Sequence, residues 1–346
     1  MIMKVNELDE ILVEEYRGGL LECVHRGHIC GVTDSGVAYA SGDIDFPTFF
    51  RSAAKPIQAI PVVRKGLDER YGFTGQETAI LAGSHRAEPF HVAALEALLG
   101  KIKVAEEDLI CLPTYPLGLE AKEELLRANR PKRRIYHNCS GKHLGILTLC
   151  RNGNYPTADY WDIHNPAQQE ILACIAAFTG YPKEVIKIGV DGCGVPVFAA
   201  PLRYLANAYL KLACPDLLPD PELRAATVKL TGLMNEHYEM ISGTGRICSL
   251  LLMDRNIVAK GGAKGTYCFG LRRERLGFAI KVMDGSEEQW PFIVAAILEQ
   301  INYGNKETIQ RLYDHFPVEI QNDNNRIVGT NVVKFRLAEP TEANCH

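Results

Sequence analysis

The placement of the β-forming segments constrains this chain more than any other feature. Residues 19–42, GLLECVHRGHICGVTDSGVAYASG, are β-rich runs broken at Arg26-Gly27 and at Asp34-Ser35-Gly36, a pattern that reads as an antiparallel meander. A second group lies far downstream: RICSLLLM after Gly243-Thr244-Gly245, then NIVAKGGAKGTYCFGL and RLGFAIKVMDG, joined by Gly-rich or charged turns. The stretches between them carry apolar residues at helical spacing. Strands at both ends with helices between predict an α+β protein whose N- and C-terminal strands share one antiparallel sheet. The sheet is expected from about residues 15–50 and 245–285, and the helices from about 52–240. No repeat or low-complexity linker marks a boundary, so 1–346 reads as a single domain. A last long helix is expected over 287–302, and the Asn- and Asp-rich residues 325–346 as an edge element or tail.

Within the helical region, FFRSAAKPIQAIPVV has Ala53, Ala54, Ile57, Ile60 and Val63 on one face. Pro56 fits only in the first turn of that helix. Ser52 is therefore expected at or near the N-cap, with Lys55 one turn later on the same face. TGQETAILAGSH predicts a short helix ending at Gly83, which leaves Ser84 and His85 in a loop before a helix that starts near Glu88-Pro89. Residues 118–130 form a charged amphipathic helix, and RPKRR a solvated connector. Asn165 caps a helix that Gly180 ends. VIKIGV reads as a short buried strand, DGCGVP as a turn, FAAPLRYLANAYLKLA as a helix, and a further helix covers 221–240.

Composition removes several function classes. The 47% hydrophobic and 23% charged content is that of an ordinary soluble globular protein. With a net charge of -4 and no basic stripe, nucleic acid has no electrostatic footprint here. No apolar run reaches the roughly 20 residues of a membrane span, and MIMKVNELDEILVEEY is too acidic for a signal peptide, so a cytoplasmic location is expected. The 11 cysteines are odd in number and lack CxxC spacing, which argues against a disulfide framework and a zinc ribbon. Most, including Cys150, Cys174 and Cys248, read as small buried hydrophobes. Cys139 and Cys193 differ, because glycines and polar residues flank them.

Cys139 lies in HNCSGKHLG, residues 137–145, which places His137, Asn138, Ser140, Lys142 and His143 around Gly141 at the start of an apolar helix. Backbone N–H groups at such a start favour a thiolate or an anion. SAAK, residues 52–55, spaces a serine and a lysine by one turn, so a lysine of lowered pKa can take the serine's proton. Lys260, in AKGGAKG on an expected strand, is either a second amine for such a site or an edge-strand charge. GSHRAEPFH presents Ser84 to a cleft as a second nucleophile or proton shuttle. A Ser-His reading with His85 and His91 finds no acidic partner. Cys139 and Cys193 could meet as thiolate ligands of zinc, with Lys142 as a third ligand if neutral and His137, His143 or Asp191 completing a tetrahedron.

Together and in order, FRSAAKPIQAIP, GSHRAEPFHV, HNCSGKHLGIL, DGCGVPVFAAPL and AKGGAKGTYCFG resemble the Rhizobium etli-type L-asparaginase family, also called class 3 or asparaginase II-like, over roughly residues 15–305. The resemblance implies a fold similar to serine β-lactamases and glutaminases, and hydrolysis of L-asparagine to L-aspartate and ammonia. It implies two catalytic pairs, Ser52 with Lys55 and Ser84 with Lys260, and zinc held by Cys139, Lys142 and Cys193 with water completing the shell. Arg51, His143 and Asp191 match polar positions expected to bind substrate. A homodimer is expected. Lys264 stands where the family commonly has an acid, four residues from Lys260. The expected mechanism has Ser52 attack the amide with Lys55 as base, while Ser84 and Lys260 relay protons and zinc positions the substrate's α-amino or α-carboxylate end. Two alternatives remain open: another serine–lysine amidohydrolase such as a glutaminase or β-lactam-recognising enzyme, and a non-catalytic zinc- or amino-acid-binding protein.

Overall fold

The computed structural model describes residues 9–338. The eleven strands among them are β1 (Glu10–Arg17), β2 (Leu20–Thr33), β3 (Gly36–Ser41), β4 (Pro47–Phe49), β5 (Lys187–Val190), β6 (Pro196–Pro201), β7 (Ile257–Gly261), β8 (Thr266–Leu271), β9 (Leu276–Val282), β10 (Glu319–Gln321) and β11 (Ile327–Val333). The main sheet runs β10-β11-β1-β2-β9-β8-β7, with β3 also pairing β2, and a smaller one runs β4-β6-β5. Every pairing is antiparallel. N- and C-terminal strands thus share one sheet, as expected, and β2 joins β9 from Gly27↔Val282 to Val32↔Gly277.

Helix Leu202–Ala213 lies across β8 and β9. Glycine permits this approach: a Cβ at Gly270 would sit 2.2 Å from the Tyr209 carbonyl oxygen, and one at Gly277 2.2 Å from that of Ala206. The Tyr209 hydroxyl, fully buried, donates to the Ala53 carbonyl at 2.8 Å. This contact ties the sheet layer to the segment that carries Ser52. As read, Asn165 caps Pro166–Thr179 and Gly180 ends that helix at φ 69, while the short helix before Ser84 is Gly75–Ile80, started by a capping box of Thr74 and Glu77.

Several expectations are corrected. RICSLLLM is helix Ile247–Leu252, fully buried; an apolar run this short has no periodicity to separate helix from strand, and tertiary packing decides. VIKIGV does form β5, but its residues are largely exposed because β5 is an edge of the small sheet. FAAP belongs to β6, and the helix starts at Leu202, just past Pro201. The segment expected over 221–240 splits into Pro221–Glu236 and Glu239–Ser242. Strand β1, helix Lys306–His315 and strand β10 were not anticipated. The tail 325–346 is not an edge: β11 pairs β1 inside the sheet while β10 takes the rim. Its residues 339–346, and the first eight residues of the acidic N-terminal stretch, lie outside the described residues. Among the described residues no helix is long and apolar enough to cross a membrane.

Candidate active site

Helix Lys55–Arg64 is entered through a 3-10 turn, Arg51–Ala54, with Pro56 in the first helical turn as expected. Ser52 lies in that turn and does not cap the helix. Arg51 adopts φ 50, a left-handed conformation that costs a residue with a Cβ of order 1 kcal/mol or more. Its surroundings hold it there. The Phe50 N–H donates to the Phe198 carbonyl at 2.9 Å, and the Arg51 guanidinium grips Asp191 Oδ1 through Nε at 2.9 Å and Nη2 at 2.8 Å. Strain therefore sits one residue before Ser52.

Lys55 is wholly buried. Its Nζ reaches the Gly83 carbonyl at 2.8 Å, Ser84 Oγ at 2.9 Å and the Asn138 carbonyl at 3.1 Å, and Ser52 takes none of these three bonds. Burial lowers its pKa, with Cys139 opposing and Lys142 assisting. Lys260 is also buried, and its Nζ donates to the Gly261 carbonyl at 2.6 Å. Burial lowers it to about 8, while the nearby Cys248 works against the shift. The hydrogen-bonded pair is therefore Ser84 with Lys55, whereas the sequence suggested Ser52 with Lys55 and Ser84 with Lys260. Ser52, Ser84 and Lys260 border one cavity of about 450 Å³, to which Arg51, Asp191, Cys139 and Cys193 also contribute.

Two loops hold Ser84 in place. Gly141 has no positive φ and earns its place by close approach, because a Cβ there would lie 2.4 Å from the Ile80 carbonyl oxygen. His85 Nδ1 accepts from the Ala87 N–H at 3.1 Å, so its Nε2–H donates to Ser140 Oγ at 2.8 Å, and Ser140 donates onward to the Ile135 carbonyl at 2.9 Å. His91 likewise spans Glu88 N–H and the Glu239 carbonyl. These imidazoles fasten loops, and His85 bonds Ser140, not Ser84.

Helix Ser140–Gly153 starts after Cys139, as the sequence suggested. Lys142 Nζ donates to Cys193 Sγ at 3.0 Å. The Cys139 thiol is held well below its usual range, chiefly by a hydrogen bond from Cys193 and, against burial, by Lys55 and Lys142. The same hydrogen bond pushes Cys193 up. Burial opposes the charge on Lys142, but Cys139 and Cys193 outweigh it and raise its pKa. A thiolate, a thiol and an ammonium thus converge. Two sulfurs and one nitrogen suit zinc with a fourth position left to water, at the cost of the Lys142 and Cys193 protons. Among the described residues no three His, Cys, Asp or Glu side chains are grouped to hold a metal, so a metal here depends on the lysine.

His143 is fully buried and not part of the cavity wall. The Tyr160 hydroxyl accepts from the Ile110 N–H at 2.8 Å and donates to His143 Nδ1 at 2.6 Å. That leaves His143 Nε2 as a buried N–H without a partner among the described residues, a donor and not a ligand lone pair. His137 lines the cavity, and its Nδ1 accepts the Cys139 N–H at 3.1 Å.

Sequence reasoning missed Arg86, Arg246, Cys248, Glu287 and Trp290, all in the cavity wall. Arg86 was visible inside GSHRAEP, but Cys248 read as a plain hydrophobe. Its sulfur instead accepts the Gly261 N–H at 3.0 Å and the Tyr267 hydroxyl at 3.5 Å. Lys264, at φ 54, donates its backbone N–H to Glu287 Oε1 at 3.2 Å. It is not among the main influences on Lys260, which are burial, Cys248, Lys55, Cys139 and Glu287.

A mixed α+β fold thus brings Ser52, Ser84 and the buried Lys260 to one cleft, with the buried Lys55 behind Ser84, the residue types that serine–lysine amidohydrolases use. More particularly, the chain belongs to the L-asparaginase II family, whose profile matches residues 13–333. Solved structures that resemble it include a β-lactamase from Mycobacterium bovis (14% identity, 79% of this chain and 94% of that one, TM-score 0.41). Another is a class C β-lactamase from Rhodobacter sphaeroides (16% identity, 84% and 93%, TM-score 0.38). No curated protein matches the chain in sequence.

Proposed function

We propose that this protein hydrolyses the side-chain amide of L-asparagine to L-aspartate and ammonia through an acyl-enzyme on Ser52. The observation that carries this reading is the seat of Lys55. A neutral lysine has two N–H bonds and one lone pair. The carbonyls of Gly83 and Asn138 accept the two N–H bonds, and the lone pair then faces the Ser84 hydroxyl at 2.9 Å. Burial lowers the amine's pKa and so favours that neutral form. Lys55 is built as a base, and Ser84 is the hydroxyl it serves.

Ser52 supplies the nucleophile. It lines the cavity next to strained Arg51 and is not bonded to Lys55. As its oxygen attacks the amide carbon, its proton passes to Ser84 while the Ser84 proton passes to Lys55. The Ser52 backbone N–H holds the oxyanion, since that of Ala53 already donates to the Phe50 carbonyl at 3.0 Å. The C–N bond then breaks as the leaving nitrogen takes a proton from Lys260, mostly protonated at neutral pH with its pKa of about 8, and the proton on Lys55 passes to Lys260 in its place. Water then attacks the ester as its proton passes through Ser84 to the neutral Lys55, and that proton returns to the Ser52 oxygen as the ester C–O bond breaks and frees L-aspartate. Zinc held by Cys139, Lys142 and Cys193 would supply a Lewis-acidic anchor for a polar end of the substrate.

Ser52→Ala is expected to lower turnover by about 10⁴-fold or more and to abolish a covalent aspartyl adduct detected by mass spectrometry. Ser84→Ala slows turnover but still forms the adduct. Near-native turnover in Ser52→Ala would make Ser84 the nucleophile. Ammonia release from L-asparagine and not L-glutamine separates this activity from that of a glutaminase.

A further inference from the structure

The cleft carries a positive pair that neither the serine–lysine relay nor the sulfur–lysine cluster uses. Arg86 follows His85 in the loop before helix Pro89–Ile102, and Arg246 ends the turn before helix Ile247–Leu252. Both line the cavity that Ser52 and Ser84 border. The two loops are latched together. The Thr244 N–H donates to Glu88 Oε1 at 3.0 Å and the Thr244 hydroxyl to Oε2 at 2.7 Å. Gly243, at φ 92, packs so tightly that a Cβ would fall 2.3 Å from Glu88 Oε1 and 3.1 Å from Arg86 Cδ. Glu88 thus spends both oxygens on Thr244.

Arg51 is neutralised by Asp191. Arg86 has only the Leu117 carbonyl as a hydrogen-bond acceptor, and Arg246 forms no salt bridge among the described residues. Burial, and then the Arg246 charge, weaken the hold of Arg86 on its proton, with Glu88 opposing them. Glu88 beside the pair and Glu287 in the same wall offset part of this charge, but Glu88 is committed to Thr244, so the two guanidinium groups remain open to an added anion. A guanidinium pair is well suited to a carboxylate, which accepts paired N–H bonds from its planar fork.

We propose that Arg246, with Arg86 beside it, receives the α-carboxylate of the substrate and makes the enzyme selective for a free amino acid over a bare amide. This rests on the L-asparagine reading above, whose substrate has the α-carboxylate as its one anionic group. A charge-assisted hydrogen bond made equally in ground and transition states raises affinity without raising kcat.

The test compares wild type with Arg246→Gln and Arg246→Lys on L-asparagine and on its α-carboxamide analogue, which lacks the negative charge. Arg246 is exposed, so its replacement leaves the core intact. Arg246→Gln is expected to raise KM for L-asparagine about 10- to 100-fold with kcat within about threefold, to leave kcat/KM for the neutral analogue within about threefold, and to be partly rescued by Arg246→Lys. An unchanged KM, or an equal loss on both substrates, overturns the proposal. If wild type releases no ammonia from L-asparagine, the amidase reading fails, and calorimetric titration of L-aspartate decides the arginines separately. Binding weakened about tenfold or more in Arg246→Gln then supports their role, and an unchanged Kd overturns it.

Discussion

Lys260→Met replaces the second buried amine by a neutral side chain of similar length, and it should make the protein more stable while making it less active. The pKa of Lys260 falls from its ordinary 10.5 to about 8, mainly through burial. At pH 7 the residue is protonated in both the folded and unfolded chain, so the folded state bears the whole cost of a buried charge, about 3 kcal/mol at 1.36 kcal/mol per tenfold. Losing the 2.6 Å bond to the Gly261 carbonyl returns about 1 kcal/mol of that. Lys260→Met should therefore exceed wild type by about 2 kcal/mol at pH 7. Between pH 8 and 10.5 the unfolded chain keeps a proton that the folded chain has released, so wild-type stability rises with pH relative to the variant. Urea unfolding at pH 7 and pH 10 should show the difference shrinking or reversing by about 2 to 3 kcal/mol. In the same samples ammonia release should fall by about 10²- to 10⁴-fold, the range of a lost acid–base group. A stability difference equal at the two pH values would refute the burial argument, and unchanged turnover would remove Lys260 from the relay.

Two further perturbations address the neighbouring structure. Protein purified without chelator should carry zinc at about one ion per chain in wild type and little in Cys139→Ser, read by elemental analysis; equal and negligible zinc in both would dismiss the Cys139, Lys142 and Cys193 site. Gly141→Ala places a Cβ 2.4 Å from the Ile80 carbonyl oxygen, which must push away the segment leading to Gly83 and Ser84. A loss of about 1–3 kcal/mol in urea unfolding is expected, together with reduced kcat, whereas unchanged stability and turnover would show that the two segments separate without disturbing Lys55.

The sheet was legible because its strands alternate or cluster β-branched residues around turn signals, and the pairing of chain ends follows from where those runs lie. What stayed hidden has physical causes. Strand β1 is EILVEEYR, one short apolar run among acids with no alternation to mark it, and pairing with β2 and β11 is what makes it a strand. Helix Ile247–Leu252 is buried on every side, so its sequence has no polar face to reveal a period. The candidate site residue types were readable, since serine, lysine and cysteine stand out in Gly-rich turns.

Their pairing was not readable, because spacing reports neighbours along a helix and not across a cleft. Ser52 and Lys55 are one turn apart in sequence, yet a 3-10 turn occupies Arg51–Ala54 and the α-helix begins at Lys55 itself. The amine therefore runs back into the core, where the carbonyls of Gly83 and Asn138 and the Ser84 hydroxyl await it. Two of those three partners are backbone atoms, which leave no mark on side-chain identity. The third is a serine 29 positions away. The same logic hid Arg246, whose meaning depends on a latch between Glu88 and Thr244, 156 residues apart. A base within a folded protein is defined by the acceptors that use up its protons, and those acceptors come mostly from the backbone of other elements. Sequence can nominate the amine, but its task follows from the fold.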